Sequence, residues 1–479
     1  MIQRDRQGIF DWSVDPARAE RNLSRIFWIA IALAGLTACH AVLAARDLVY
    51  DGSNYLLAIA SNGQFKWVEP ARLTVEFLQQ CLAIMGVRLG VHDLWTLGVL
   101  FSSGMSGWPV LLTALCWFVL PRTEKAWIAG PLLNLVLTIP VTNLIGIGEG
   151  VIASCLMWLV FLLVMFRTNH LPGAAAALAM TVACAFAQES EVLFLGVLAA
   201  LAVHRAGRTK GFEQAANLFI AIVAAAGAIR LGWWIVFPRS AIERSDFLAG
   251  LLGGFLGNGR SPNIPAFVSL VAVAAMFAAG ARGLRESRRL KAALPLAAIL
   301  IFLLATILFA TMADRIVAPH LSFDARGLPQ AFSTLLIVSF ILLRRRNVTP
   351  LRFASPTVLT ILLAAAVTQA AAQTVMTARW SAYVQDLRAL VKTHHGAVPF
   401  AEAMRVIDPE AGRFRRELLQ SWSVEPLSIL LAPQGRVQAV VEPQPGRPWV
   451  PYRLDDPRTL PRAPELDWSE FSPATHNLP

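Results

Sequence analysis

The chain has 479 residues, 56% of them hydrophobic and only 15% charged, with a mean hydropathy of +0.55. A soluble domain of ordinary composition carries roughly 25% charged residues, so this apolar surplus excludes an ordinary cytosolic enzyme, a disordered chain and a secreted disulfide scaffold. The formal charge of +11 does not point to nucleic acid: all but five of the 42 basic residues are Arg, gathered in short clusters between apolar runs. That is the pattern of basic loops flanking membrane spans, not of one basic face.

The first 25 residues are polar and Arg-bearing, and the apolar run behind them, 26–45, is too long for a cleaved leader. It reads as a retained span. A span needs ~20 apolar residues, and on that rule eleven segments are expected: 26–45, 94–120, 126–145, 150–166, 173–187, 192–204, 215–237, 264–281, 293–312, 331–343 and 355–375. Some are short, and the charges decide how to read them. Arg4, Arg6, Arg18, Arg21 and Arg25 put the N-terminus in the cytoplasm. Alternate loops then carry Arg122 with Lys125, Arg167, Arg205 with Arg208 and Lys210, the basic run 282–291, and Arg344 to Arg346 with Arg352. Taking 173–204 as one span would turn the three richest of these outward, so it reads as a hairpin, and the C-terminus lies outside.

The first outer loop, 46–93, is long. A short helix is expected at 53–60. After Pro70, Leu73, Phe77, Cys81, Met85 and Leu89 recur at steps of four, with Arg72, Glu76, Gln79 and Gln80 opposite and Gly90 at the end. This spacing predicts an amphipathic helix lying on the membrane surface. The outer loop 238–263 carries Phe247, Leu248, Leu251, Leu252 and Phe255 on one face. Beyond 376 the composition turns Pro- and Arg-rich: helices are expected at 380–392 and 400–420, strands at 427–431 and 437–441, and an extended tail. The expected architecture is an all-α polytopic membrane protein with a small α+β C-terminal region, divided into 1–25, 26–375 and 376–479. The five cysteines show no ligand spacing.

Several polar residues stand where chemistry is plausible. Asp51 opens Asp51-Gly52-Ser53-Asn54-Tyr55, where the first span ends. An acid shielded from bulk water there can act as a general base toward a hydroxyl, with Tyr55 beside it to contact substrate; the same residues also read as a turn whose Asp51 or Ser53 caps a helix. Glu189 and Glu191 sit at the tip of a hairpin too short to reach the outer surface, so they face a cavity or a cation, or simply end at a turn. Glu149 tops the neighbouring hairpin. Arg230, Arg239 and Arg244 could fork onto an anionic head group, or snorkel. His320, with Asp314, Asp324 and Arg326, lies in a loop without metal-ligand spacing.

The long first outer loop with two surface helices and an acid at its start, the outer loop after span seven, and the outer C-terminal part together resemble the GT-C superfamily of membrane glycosyltransferases. The resemblance implies a GT-C-like bundle in a bacterial inner membrane, with sugar transfer from a lipid-phosphate carrier on the periplasmic face. It makes Asp51 the base, and Glu149, Glu189 and Glu191 the walls of the cavity, holding the acceptor or a divalent cation. Arg230, Arg239 and Arg244, with His320, would meet the donor. In this chain Asp51 is followed by Gly52, where many members carry a second acid. Besides lipids and the lipid-phosphate donor no partner is implied. A transporter or flippase, or a non-catalytic scaffold, are the alternatives; a transporter would show inverted repeats, and none is seen in the sequence.

Overall fold

The computed structural model describes residues 16–68, 70–138, 148–237, 328–345, 356–407 and 423–442, and short pieces between 453 and 471. These are mostly helical. Four helices are long and apolar enough to cross a membrane: α1 (Pro16–Leu43), α4 (Leu94–Val119), α6 (Glu149–Phe166) and α9 (Gly211–Val236). Between and after them come α2 (Asp51–Asn62), α3 (Leu73–Arg88), α5 (Ala129–Leu133), α7 (Leu171–Ala185), α8 (Val192–Ala206), α10 (Leu328–Arg345) and α11 (Pro356–Thr393). The expected segments 264–281 and 293–312, and the loop 238–263, lie outside the described residues.

A helix that is apolar all round belongs in the middle of a bundle. Helix α6 is that helix: 94% of its apolar window is buried, against 17% for α1 and 28% for α9. Around it α1, α4, α7, α8, α9, α10 and the first half of α11 share one core. Of the expected span 126–145, residues 126–138 wind as the end of a tight helical turn (Arg122–Ile128), α5 and a π-helical turn, Asn134–Thr138, and 139–145 lie outside the described residues. Pro131 lacks the N–H that would bond the Trp127 carbonyl, so regular winding cannot start earlier.

Among the described residues, loops gather at two places. At one of them Arg167 donates to the carbonyls of Val119 and Phe118, Arg205 pairs with Glu213 at 2.6 Å, and Arg344 lies over the rings of Trp127 and Phe166. At the other stand residues 44–93, the start of α6 and the tip between α7 and α8. The 173–204 segment is two helices joined by a tight turn, Glu189–Glu191, with α9 packed on both. Gly227 of α9 is required by that packing, because a Cβ there would fall 2.7 Å from Ala185.

Helix α3 is amphipathic as expected, and its two faces are placed like those of a helix at a membrane surface. Phe77, Met85 and Leu89 are exposed, while Glu76, Gln79 and Gln80 are fully buried against the protein. Glu76 accepts from the Val68 N–H, and Gln80 exchanges hydrogen bonds with both backbone groups of Lys66. The polar face is thus the inward one.

In the C-terminal part helix covers the expected 380–392 and 400–407, with 408–420 outside the described residues, and a strand lies within 437–441; one expected element differs. Residues 427–431 are not a strand: they belong to or follow a helix, α13 (Val424–Leu430), after α12 (Phe400–Ile407). The sheet pairs β1 (Gly396–Val398) in parallel with β2 (Ala439–Val441). A short apolar run fits either state, and Pro426 in the first turn of α13 is a position a helix tolerates. Helix α11 runs without a break through residue 376. Its second half, the sheet, α12, α13 and residues 460–471 share a second core with α2, α3 and the start of α4. Across it Ser53 Oγ donates to the Ser423 carbonyl at 3.1 Å and Trp380 Nε1 to the Ala44 carbonyl at 2.9 Å.

Candidate functional site

The chain leaves α1 through a strained turn. Ala45 is left-handed (φ 46°, ψ 40°), and Tyr50, just before α2, has φ 55° and ψ −127°. Non-glycine residues adopt such angles only when surrounding packing imposes them, and they recur at functional sites; both residues here are buried. Gly52 is dictated by the same turn: a Cβ there would lie 1.8 Å from the Asp47 carbonyl oxygen. A second acid after Asp51 therefore has no room.

Asp51 begins α2, and Tyr55 lies one turn along on the same helix. Tyr55 is buried, and the charges of Glu149, Asp51, Glu76 and Arg72 all bear on it. Burial first, and then those three carboxylates, push its phenol well above the ordinary value, with Arg72 opposing. It stays a neutral hydroxyl at any physiological pH.

Arg72 holds this neighbourhood together. Its Nη1 reaches Glu149 at 3.2 Å and its Nε reaches Glu189 at 3.1 Å. Two hairpin tips, far apart in sequence, are thereby tied to the entry of α3. Burial alone would lower the pKa of the guanidinium; Glu189 and then Glu149 more than offset it and hold Arg72 above its ordinary value. Arg230 strengthens the same joint, donating to the carbonyls of Ala185 and Pro70 with its guanidinium 4.1 Å from the centre of the Phe186 ring. The Thr74 N–H adds a bond to the Phe186 carbonyl at 2.9 Å.

The structure thus brings Glu149 and Glu189 together on Arg72, with Tyr55 near Arg72 and Glu149; Asp51 is linked to them through its charge on Tyr55, one turn along α2. Glu191 is set apart from them: it is fully buried, with the Cys184 thiol as its side-chain neighbour. Arg230 spends donors on backbone carbonyls. Arg239, Arg244 and His320 lie outside the described residues. The acids do not fit a divalent cation, because the Arg72 guanidinium already stands between Glu149 and Glu189; among the described residues no group of three metal-ligating side chains occurs.

Two residues gain roles that the sequence did not single out. Arg72 read as one member of a polar helix face, although it is a cation in a loop facing two acid-bearing hairpin tips. Asp47 belongs to the polar stretch 46–55 where the first span ends, in which the acid singled out as a base was Asp51. Asp47 is buried in the turn after α1, accepts from Ser106 Oγ at 2.7 Å and donates its own N–H to Ser102 Oγ at 3.3 Å. Burial raises its pKa, against the pull of Arg46 and the two serine hydroxyls. Arg46 in turn bonds Gln373 Oε1 at 2.6 Å and Thr377 Oγ1 at 3.2 Å on α11. No protein-family model, curated protein or solved structure matches this chain.

Proposed function

We propose that this protein is a membrane glycosyltransferase of GT-C type, its bundle completed to about eleven spans, acting on the periplasmic face of a bacterial inner membrane. The observation that carries the reading is the pairing of Glu149 and Glu189 with Arg72 beside Tyr55, on the helix that Asp51 opens, next to a helix that turns Phe77 and Met85 outward. A site of that kind suits a donor with a lipid carrier and a polar sugar. Asp51 takes the proton of an acceptor hydroxyl as that oxygen bonds the anomeric carbon of the sugar. The bond from that carbon to the lipid phosphate breaks, and the phosphate leaves with the electron pair. Tyr55, held neutral, can donate to a sugar hydroxyl. Glu149 and Glu189, fixed by Arg72, shape the wall.

The test is donor turnover by the purified full-length protein, followed as release of polyprenyl phosphate from a panel of radiolabelled polyprenyl-phosphate sugars, with membrane glycolipid as acceptor. Asp51→Asn is expected to slow turnover about 100-fold or more, the range for loss of a general base. Full turnover by Asp51→Asn would overturn the reading. Helical interruptions at Pro109 of α4 and at the π-helical turn 134–138 favour a second reading, transport. Movement of a labelled lipid across a vesicle bilayer, with no donor cleaved, would support it instead.

A further inference from the structure

A cavity of about 60 Å³, open on one side, lies beside the turn after α1, between α1, α4, the π-helical turn, α6 and α11. Its two ends differ in chemistry. One end carries Asp47, Arg46, Ser106 and Gln373; the rest is apolar, walled by residues such as Ala34, Val110, Leu135 and Ala366. It is a neighbour of the Arg72 cluster and not part of it: Gly148 lines the cavity, while Glu149, one residue on, turns to Arg72.

The polar end is rich in acceptors. Ser106 gives its proton to Asp47, and Arg46 points its guanidinium at Gln373 and Thr377. Pro109 has no N–H to return to the carbonyl of Met105, and both residues line the cavity, so one backbone acceptor there lacks its regular helical partner. Asp47 and the adjacent Arg46 bring opposite charges to this end, each acting on the other, so neither a cation nor an anion is favoured by net charge. What the end asks for is a neutral donor, and the plainest is a hydroxyl.

The apolar part asks for a hydrocarbon chain. The lining on α1 runs from Ala30 to Ala38, roughly 12 Å at the helical rise. Half-exposed Ala38 and Ala370 lie along the mouth, and around it Leu36 (69% exposed), Leu43 (70%) and Val367 (50%) point outward from α1 and α11. A chain entering between these helices comes from the apolar side of the molecule. We infer that this cavity binds a single-chain lipid alcohol, its hydroxyl on Asp47 and its chain along α1 and α11. The inference does not depend on the transferase reading.

The experiment is photolabelling of the purified full-length protein, in a bulky sterol-based detergent, with dodecanol carrying a diazirine near the chain end. Saturable labelling of peptides covering 30–38 or 366–373, competed by dodecanol and much less by dodecyl phosphate or dodecyltrimethylammonium, is the expected result. Ala370→Trp, a substitution at the half-exposed mouth, should abolish that labelling. Asp47→Asn should weaken competition by dodecanol tenfold or more. Labelling that never saturates, that survives Ala370→Trp, or that the phosphate competes best would each overturn the proposal. If Asp47→Asn does not fold, the Ala370→Trp arm and the head-group series still decide it. Lost donor turnover with intact labelling would count against the transferase and leave this site standing.

Discussion

Gly52 shows how a single residue can set the geometry of a site it never contributes an atom to. Its missing Cβ lets the 47–52 turn close, and Asp47 and Asp51 stand at the two ends of that turn. Gly52→Ala forces backbone apart and is expected to cost about 1–3 kcal/mol, the range for overpacking, read as a lowered unfolding midpoint in detergent. Arg72 makes the complementary case. Removing it strands Glu149, whose side chain is 4% exposed, so Arg72→Ala should cost on the order of 3 kcal/mol, as breaking a buried pair does. Arg72→Ala with Glu149→Gln should recover part of that loss; a double variant no more stable than the single one would show that Arg72 acts by packing alone. At this scale the acids were legible in the sequence, because each interrupts or ends an apolar run. Arg72 was not, since a charge at the polar edge of an amphipathic helix is the ordinary case, and only the fold brings Glu149 and Glu189 to it.

Among the elements, α4 carries the clearest local signal. Asp93 caps it, accepting from the Thr96 N–H at 2.7 Å and from the Thr96 hydroxyl at 2.5 Å. That hydroxyl, with the N–H groups of Thr96 and Trp95, holds the Asp93 carboxyl below its ordinary value. A depressed carboxyl stabilises above its unfolded pKa, ~3.9, and loses that contribution as pH falls through the folded one. Asp93→Ala should therefore cost about 1 kcal/mol at pH 7, with the gap to the parent closing below about pH 4, followed by circular dichroism on heating. The face of α3 was also readable from steps of four. Of the strands, β2 falls inside the expected 437–441, whereas β1, three residues long, is too short for an alternation to register, and 427–431 carries an apolar run that a helix buries as readily as a strand.

At the scale of the molecule, the basic clusters at Arg122, Arg167 and Arg205 do meet at one place among the described residues, since charge must stay out of hydrocarbon whatever the packing. They said nothing of how the C-terminal part is seated. Its own composition suggests a separate appendage, yet Val424, Ile429 and Val440 share a core with Leu56 and Ile59 of α2. A chain ending after Thr393 should leave α2 without that cover. Hydrogen–deuterium exchange is expected to rise at least tenfold in peptides from 51–62, while peptides from α6 keep their protection. Unchanged exchange in 51–62 would mean that the appendage description was right after all.

Helix α11 gives this seating a mechanical side. Its 38 residues make a rod roughly 57 Å long, well beyond the ~30 Å of bilayer hydrocarbon. One stretch of it lines the cavity beside the turn after α1 and a later stretch carries the C-terminal core, with no break in the helix between them. A bilayer that thins makes a spanning helix tilt, and a stiff rod converts a small tilt at its foot into a larger sideways swing at its head. That core, and through α2 the position of Asp51, would thus register the thickness of the surrounding lipid.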